Sequence, residues 1–436
     1  MDILLYLGGI LFMLLALTIS IALHEIGHLV PAKLFGVRVS QYMIGFGRTL
    51  WSRRRGGTEY GVKALPLGGY ISMAGMYPHS SSARPASGMF RTLVQEAREA
   101  NDETIGDDAA TGLFHQLPVW KRVIVMLGGP VMNLVLAALV FTVLLSGIGL
   151  QQATTTIASV NECVLPAGST QTVCGPDDPA APAAAAGLLP GDELVSVAGQ
   201  EVSTFAEASE IIQASPGEPL TVVVRRDGAE RSLTVTPVLA ERAVYDDDGN
   251  AVVSDDGTPV TAPVGFVGMG SQVRFVPQGP GAGLAFTGEN LGAVAGIVVT
   301  LPQKLWDIAV STFTGSERDP DGPLSVIGVG RLAGEVATTD APILNRIWVL
   351  LSLVGSLNIA LFVFNLIPLP PLDGGHVVVA LWDGLRRGWA RLWRRPPPAP
   401  VDASRLVPVT ITVAALMIGM TALLFLADII NPLQLF

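Results

Sequence analysis

The sequence predicts a polytopic α-helical membrane protein: four transmembrane helices with one extracytoplasmic α/β domain inserted between the second and third. Three observations predict it. Half of the 436 residues are hydrophobic and only 15% are charged, well below the roughly 25% usual for soluble domains. Four apolar runs, 3–30, 123–150, 347–369 and 406–426, reach the about 20 residues that cross 30 Å of hydrocarbon. Charge alternates between them: 31–121 holds 11 Lys and Arg and 383–405 holds six, whereas 151–344 holds 8 against 24 Asp and Glu. Basic loops stay on the cytoplasmic side, so both termini and 151–344 are expected outside. The mean hydropathy of +0.49 excludes a disordered chain and argues against a wholly soluble enzyme. A net charge of −10 gives no support for a nucleic-acid partner. Two cysteines are too few for a disulfide scaffold or an all-cysteine zinc site.

The first helix, 1–31, does not read as a signal peptide. It opens Met1-Asp2 without a basic region, runs too long, and lacks a small-residue cleavage pattern. Residues 32–121 are placed on the cytoplasmic side, with a Ser-, Ala- and acid-rich stretch at 80–112 read as a mobile insertion. The second helix occupies 122–150. Residues 151–240 alternate strands (154–160, 193–197, 220–225, 232–237) with turns at Pro190-Gly191-Asp192 and Asp227-Gly228, and 205–214 reads as a helix. The run Ala186-Gly187-Leu188-Leu189-Pro190-Gly191-Asp192-Glu193-Leu194, followed by Val197-Ala198-Gly199, resembles the bacterial PDZ domain. That resemblance implies capture of extended peptide by strand addition.

Cys163 and Cys174 flank a Gly/Ser/Thr loop in a compartment that permits a disulfide. Two free or buried thiols are the alternative, and metal binding is disfavoured without a nearby His. Residues 241–344 are read as an extracytoplasmic loop with amphipathic helices and no second PDZ motif; the acidic stretch 246–256 is expected to be exposed. The apolar stretch 284–301 is interrupted by Glu289 and Asn290 and is read as a surface or interfacial helix. A fifth span would put the C-terminus inside and break the charge agreement. The third helix and its turn fill 345–382. A basic loop stiffened by Pro396, Pro397, Pro398 and Pro400 fills 383–405, and the fourth helix 406–429.

The chemistry centres on His24-Glu25-Ile26-Gly27-His28, an H-E-x-x-H. On a helix its two imidazoles share one face and can grip one zinc, while Glu25 can take a proton from a water that zinc acidifies toward neutrality. Three ionisable groups in a membrane-length apolar run are costly, which favours function over a polar helix-association cluster. A catalytic zinc usually needs a third protein ligand. Asp373, in Asn365-Leu366-Ile367-Pro368-Leu369-Pro370-Pro371-Leu372-Asp373-Gly374-Gly375-His376, is the leading candidate, with a helix cap or turn as its alternative role. His376 competes as a ligand, whereas His79 and His115 sit beside loop-like sequence. Topology supports Asp373: the first and third helices run in the same direction, so His24, His28 and Asp373 reach one depth, near the cytoplasmic side.

With H-E-x-x-H in the first span and Asn-x-x-Pro-x-Pro-x-Leu-Asp-Gly-Gly after a later one, the chain resembles the site-2 protease family of intramembrane zinc metalloproteases. Further matches are Gly45-Phe46-Gly47, Ala64-Leu65-Pro66-Leu67-Gly68-Gly69-Tyr70, Gly129-Pro130-Val131-Met132-Asn133 and Gly322-Pro323-Leu324-Ser325-Val326. The branch it resembles carries a PDZ domain between spans two and three; one PDZ rather than two is a departure from some members. The resemblance implies zinc on His24, His28 and Asp373, with Glu25 as general base. It implies a substrate or oxyanion contact for Asn365, against an interhelical hydrogen bond. It also implies a membrane-edge β-loop over 62–73, where Gly68, Gly69 and Tyr70 bind substrate, against an ordinary surface hairpin. The implied substrates are single-span membrane proteins, such as anti-sigma factors or signal-peptide remnants, trimmed beforehand by an upstream extracytoplasmic protease. The implied location is the bacterial inner membrane, in contact with the lipid bilayer. A non-catalytic membrane PDZ scaffold or chaperone is the alternative function, and a metal transporter a third. Arg outnumbers Lys 23 to 4, a hint of a GC-rich, actinobacterial genome.

Overall fold

The structure is a computed structural model describing residues 2–76, 112–165, 174–175, 178–243, 260–316, 318–319, 322–396, 398–399, 401 and 406–432. His79, nearly all of 80–112, the acidic stretch 246–256, Pro397 and Pro400 lie outside the described residues. In chain order the elements begin with α1 (Asp2–Leu34), β1 (Val39–Arg55), β2 (Thr58–Met73) and α2 (Val119–Val143). There follow β3 (Leu150–Val160), α3 (Pro182–Ala185), β4 (Glu193–Val197), β5 (Gln200–Glu201), α4 (Phe205–Gln213), β6 (Leu220–Arg226), β7 (Ala229–Val235), β8 (Val238–Ala243), β9 (Thr261–Phe266) and β10 (Met269–Val276). The last are α5 (Ala282–Thr314), α6 (Val326–Thr338), α7 (Ile343–Asn365), α8 (Asp373–Leu392) and α9 (Val407–Ile430). Two compact units result: Met1–Ile148 with Gln278–Phe436, and Gly149–Pro277.

In the helical unit, α1 and α2 touch backbone to backbone. A Cβ on Gly27 would collide with the Gly128 carbonyl, and one on Gly128 with the Gly27 carbonyl. Small residues are what allow apolar helices to approach this closely. Pro31 has no N–H to offer the Gly27 carbonyl one turn earlier, and that carbonyl is the one facing Gly128. Helix α7 lies beside α1 and runs the same way: Met13 packs with Val354, and Asn358 donates to the Ser20 hydroxyl at 2.9 Å. Helix α2 runs opposite, with Phe141 seated on Gly355. So α1 and α7 begin, and α2 ends, at one end of the bundle. Helix α6 joins them there, with Ala333 on Gly9 and Gly334 on Tyr6.

Among the described residues five helical stretches are long and apolar enough to cross a membrane, α5 being the addition to the four runs above. Helix α5 is longer than the 284–301 stretch singled out in the sequence. Its 33 residues span about 50 Å at 1.5 Å per residue. Its contacts trace an unusual path. Gly283 abuts Thr142 at the end of α2, while Ile308 packs with Leu424 and Ala427 and Ser311 accepts from Asn431 at the end of α9. Both ends of α5 therefore meet the same end of the bundle, where α1 begins.

Strands β1 and β2 form one folded ribbon. Residues 41–44 are paired on both sides, to 59–62 and to 69–72, while 49–55 pair with 58–63. Gly45 (φ +90°) and Gly68 (φ +120°) provide backbone turns that side-chain-bearing residues rarely adopt. The outer segment, 69–73, lies against α1.

The second unit is an antiparallel sheet in the order β10-β3-β4-β6-β7, with β5 on β4 and a separate β8-β9 ladder. Inward residues of alternating strands, Leu194, Val197, Val222, Val224 and Val235, pack on Ala208 and Ile212 of α4. That helix starts at a capping box in which the Thr204 hydroxyl accepts from the Glu207 N–H and the Glu207 carboxylate reaches back. The unit corrects the boundary read at residue 240. It continues to Pro277, because β10 pairs along nearly the whole of β3 from more than 100 residues away, a match that local patterning does not carry.

Candidate active site

One turn of α1 and the first residue of α8 meet. His24 Nε2 and His28 Nε2 each stand 3.3 Å from Asp373 Oδ2 and 3.2 Å from one another. Asp373 Oδ2 is buried with no hydrogen-bond partner. With both Nε2 atoms unprotonated, three lone-pair atoms facing each other so closely are repulsive unless a cation lies between them. A tetrahedral zinc with ligands at about 2.0–2.1 Å sets its donor atoms about 3.3–3.4 Å apart, which is the spacing seen. The donor set therefore fits zinc.

Local structure explains the convergence. The i, i+4 spacing stacks the two imidazoles on one face of α1. The missing side chain of Gly129 leaves the space that the His28 ring fills, and His28 Nδ1 then bonds the Val125 carbonyl at 2.7 Å. The prolines after α7 end that helix, and the chain folds back so tightly that a Cβ on Gly374 or Gly375 would strike the backbone of 366–370. Asp373 thereby opens α8 at the depth of His28. Arg122 of α2, 5% exposed, donates to Asp383 of α8 at 2.6 Å, and Asp383 also accepts from Arg387. This clamp fixes α8 on α2 three turns beyond Asp373.

Glu25 is buried, and its Cγ lies beneath the outer β2 segment: a methyl on Gly69 would stand 3.1 Å from it. Gly68 backs onto the Phe46 ring, and Tyr70 stacks on Phe46 and donates to Gln41 at 3.2 Å. The amide of Asn365 donates to the Leu361 carbonyl of its own helix at 2.9 Å rather than to a second helix. His376 is not in the three-residue cluster; it lines a cavity of about 60 Å³ with Pro370, Pro371, Leu406 and Thr410. His115 bonds the Gly75 carbonyl. In the second unit, Cys163 and Cys174 form a disulfide, and a cavity of about 580 Å³ runs between α4 and 264–269. Asp192 there is held below the usual carboxylate range by the Arg226 guanidinium, 2.6 Å away, against the opposing effect of its burial.

Sequence reasoning named Asn133 only as part of the 129–133 match and gave it no role, and it did not pair Arg122 with Asp383. Asn133 is fully buried with its side chain 3.2 Å from His24 Nδ1. The available signal was polar residues placed in or beside apolar runs.

The profile of peptidase family M50 matches residues 12–392. The chain is 34% identical to the zinc metalloprotease Rip1 of Mycobacterium bovis over 442 residues, covering 99% of each. It is equally similar to Rip1 of Mycolicibacterium smegmatis, with 98% of each covered. The metalloprotease MmpA of Caulobacter vibrioides is 30% identical, with 86% of each covered. A family match over most of the chain, and relatives matched end to end, place this protein in peptidase family M50, the site-2 proteases, and make it a zinc metalloprotease.

Proposed function

We propose that the protein is an intramembrane endopeptidase that cuts single-span membrane proteins. The observation that carries this is the joint position of His24, His28 and Asp373, with Glu25 under an outer β-segment, the H-E-x-x-H lying on a helix long and apolar enough to cross a membrane. Zinc, when bound, supplies a Lewis acid and acidifies a water toward neutral pH. Glu25 takes a proton from the attacking water and returns it to the departing amine. A helical substrate hides its peptide bonds, so residues 69–73 hold it extended by strand addition beside Glu25. Asn365 is available at the end of α7 to touch the substrate backbone.

Helices α1, α2, α7 and α9 form the spans. Helix α5 lies along the outer interface, consistent with both its ends meeting one end of the bundle. The active site sits toward the cytoplasmic side of the bacterial inner membrane. Residues 149–277 are a PDZ domain on the outer side, and the groove between α4 and 264–269 takes an extended peptide. Substrates of the anti-sigma-factor or signal-peptide class arrive after trimming by another protease.

The test is cleavage of a single-span substrate, full-length and pre-trimmed, by purified protein beside Glu25→Gln, with zinc content measured for both. Cutting by the wild type alone, with zinc in both, is the expected result. Equal cutting by Glu25→Gln removes Glu25 from the chemistry, and equal rates on both substrates remove the trimming requirement.

A further inference from the structure

The two imidazoles of the site are held from behind by different means, both from α2. His28 Nδ1 meets the Val125 backbone carbonyl, an atom that can only accept, so the ring carries its proton on Nδ1 and turns a bare Nε2 inward. His24 Nδ1 meets the side-chain amide of Asn133 at 3.2 Å. An amide end can donate or accept, and the two orientations have the same shape. With Nδ2 toward His24, the amide donates to Nδ1, the imidazole proton moves to Nε2, and Nε2 cannot bind a cation. The nitrogen end, Nδ2, stands at His24 Nδ1 and Oδ1 is buried without a partner; the flip leaves the other end unpaired instead, so the choice between the two rests on what His24 must do. With Oδ1 toward His24, the amide accepts from Nδ1–H and Nε2 is free.

We propose that Asn133 is the positioning residue of the first zinc ligand: its amide oxygen accepts the His24 Nδ1 proton and commits His24 to the tautomer that binds metal through Nε2. The inference rests on the ligand set His24, His28 and Asp373. Asn133 lies one turn beyond Gly129, so a single stretch of α2 sets Val125, the clearance for His28 and the acceptor for His24. No other residue in the described structure is in hydrogen-bond contact with His24 Nδ1.

The experiment is zinc affinity of the full-length purified protein, read by competition with a chromophoric chelator, for wild type, His24→Ala, Asn133→Leu and Asn133→Asp. Leucine keeps the shape of asparagine without an acceptor; aspartate keeps the acceptor without a donor. Losing an outer partner of a metal-bound histidine costs about 10–100-fold in affinity. The expected result is that loss for Asn133→Leu, with Asn133→Asp within about threefold of wild type or tighter. Thermal unfolding of the metal-free proteins identifies a variant that is merely misfolded, and Asn133→Thr, which offers a shorter acceptor, then takes the place of leucine's partner in the comparison with an intermediate loss expected. Zinc affinity unchanged in Asn133→Leu overturns the proposal, as does equal weakening in leucine and aspartate variants. Wild type and His24→Ala binding zinc equally overturns the ligand set itself, a separate failure read in the same titration.

Discussion

Three aspartates of the helical unit, Asp428 and Asp383 buried and Asp373 partly buried, are treated differently. At the end where α1 begins, Asp428 accepts from Arg318 at 2.5 Å and from the Ser325 N–H at 2.8 Å, beneath Gly328, whose missing side chain clears the space. On α8, Asp383 accepts from Arg122, from Arg387 and from the Val401 N–H. Ten residues earlier on the same helix, Asp373 faces two imidazoles and no guanidinium, and its Oδ2 has no hydrogen-bond partner. Two carboxylates have their lone pairs saturated by the chain. The third is held open. In an apolar unit that contrast in partners separates a structural ion pair from a metal ligand.

The comparison can be broken at each position. The largest effect is expected at the open site. Asp373→Ala should lower zinc affinity by at least about 100-fold and abolish peptide cleavage, with little change in the thermal stability of the metal-free protein, because no ion pair to arginine is lost. Asp428→Asn should do the reverse. It strands the Arg318 charge, 2% exposed, and should cost about 3–5 kcal/mol in unfolding measurements while leaving zinc affinity within about threefold. If Asp428→Asn releases zinc instead, the two ends are not independent. Gly128→Ala should fall between these behaviours. Its methyl meets the Gly27 carbonyl, an overpacking cost of about 1–3 kcal/mol, and by forcing α1 off α2 it should weaken both stability and zinc binding, read in the same two assays.

The smallest expected effect lies in the second unit, where Asp192 repeats the saturated pattern with Arg226. Its folded carboxyl titrates below the ordinary value. The pair therefore contributes its full stability above the unfolded carboxylate pKa near about 4, and loses it as pH falls through the lower folded value. Hydrogen-exchange protection at β4 and β6 in the full-length protein, taken relative to the intrinsic rate at each pH, should fall on acidification through that window, and Arg226→Ala should flatten the dependence.

Much of the site was legible because its parts are local. H-E-x-x-H fixes two side chains on one helical face, and the proline- and glycine-rich turn at 365–376 announces a break just where Asp373 is needed. The common direction of α1 and α7 could be read from the apolar runs and the loop charges between them. What was not legible depends on distant partners. The strand at 39–55 gives no clean alternation because residues 41–44 are paired on both sides. The boundary at 277 rests on β10 meeting β3. Asn133 is one amide in a long apolar helix, and only the neighbour that it faces gives it meaning. Helix α5 has the length and hydropathy of a span, and it is the identity of what its two ends touch, rather than its own composition, that sets its path.

The bond from His28 to the Val125 carbonyl has an evolutionary consequence. A backbone oxygen is present whatever residue occupies position 125, so no single codon change can delete the acceptor that orients this ligand. The amide at 133 enjoys no such protection. Mutational drift in the orienting acceptors is thereby channelled to one side of the site: the acceptor behind His24 can be lost or exchanged by one substitution, whereas the acceptor behind His28 cannot.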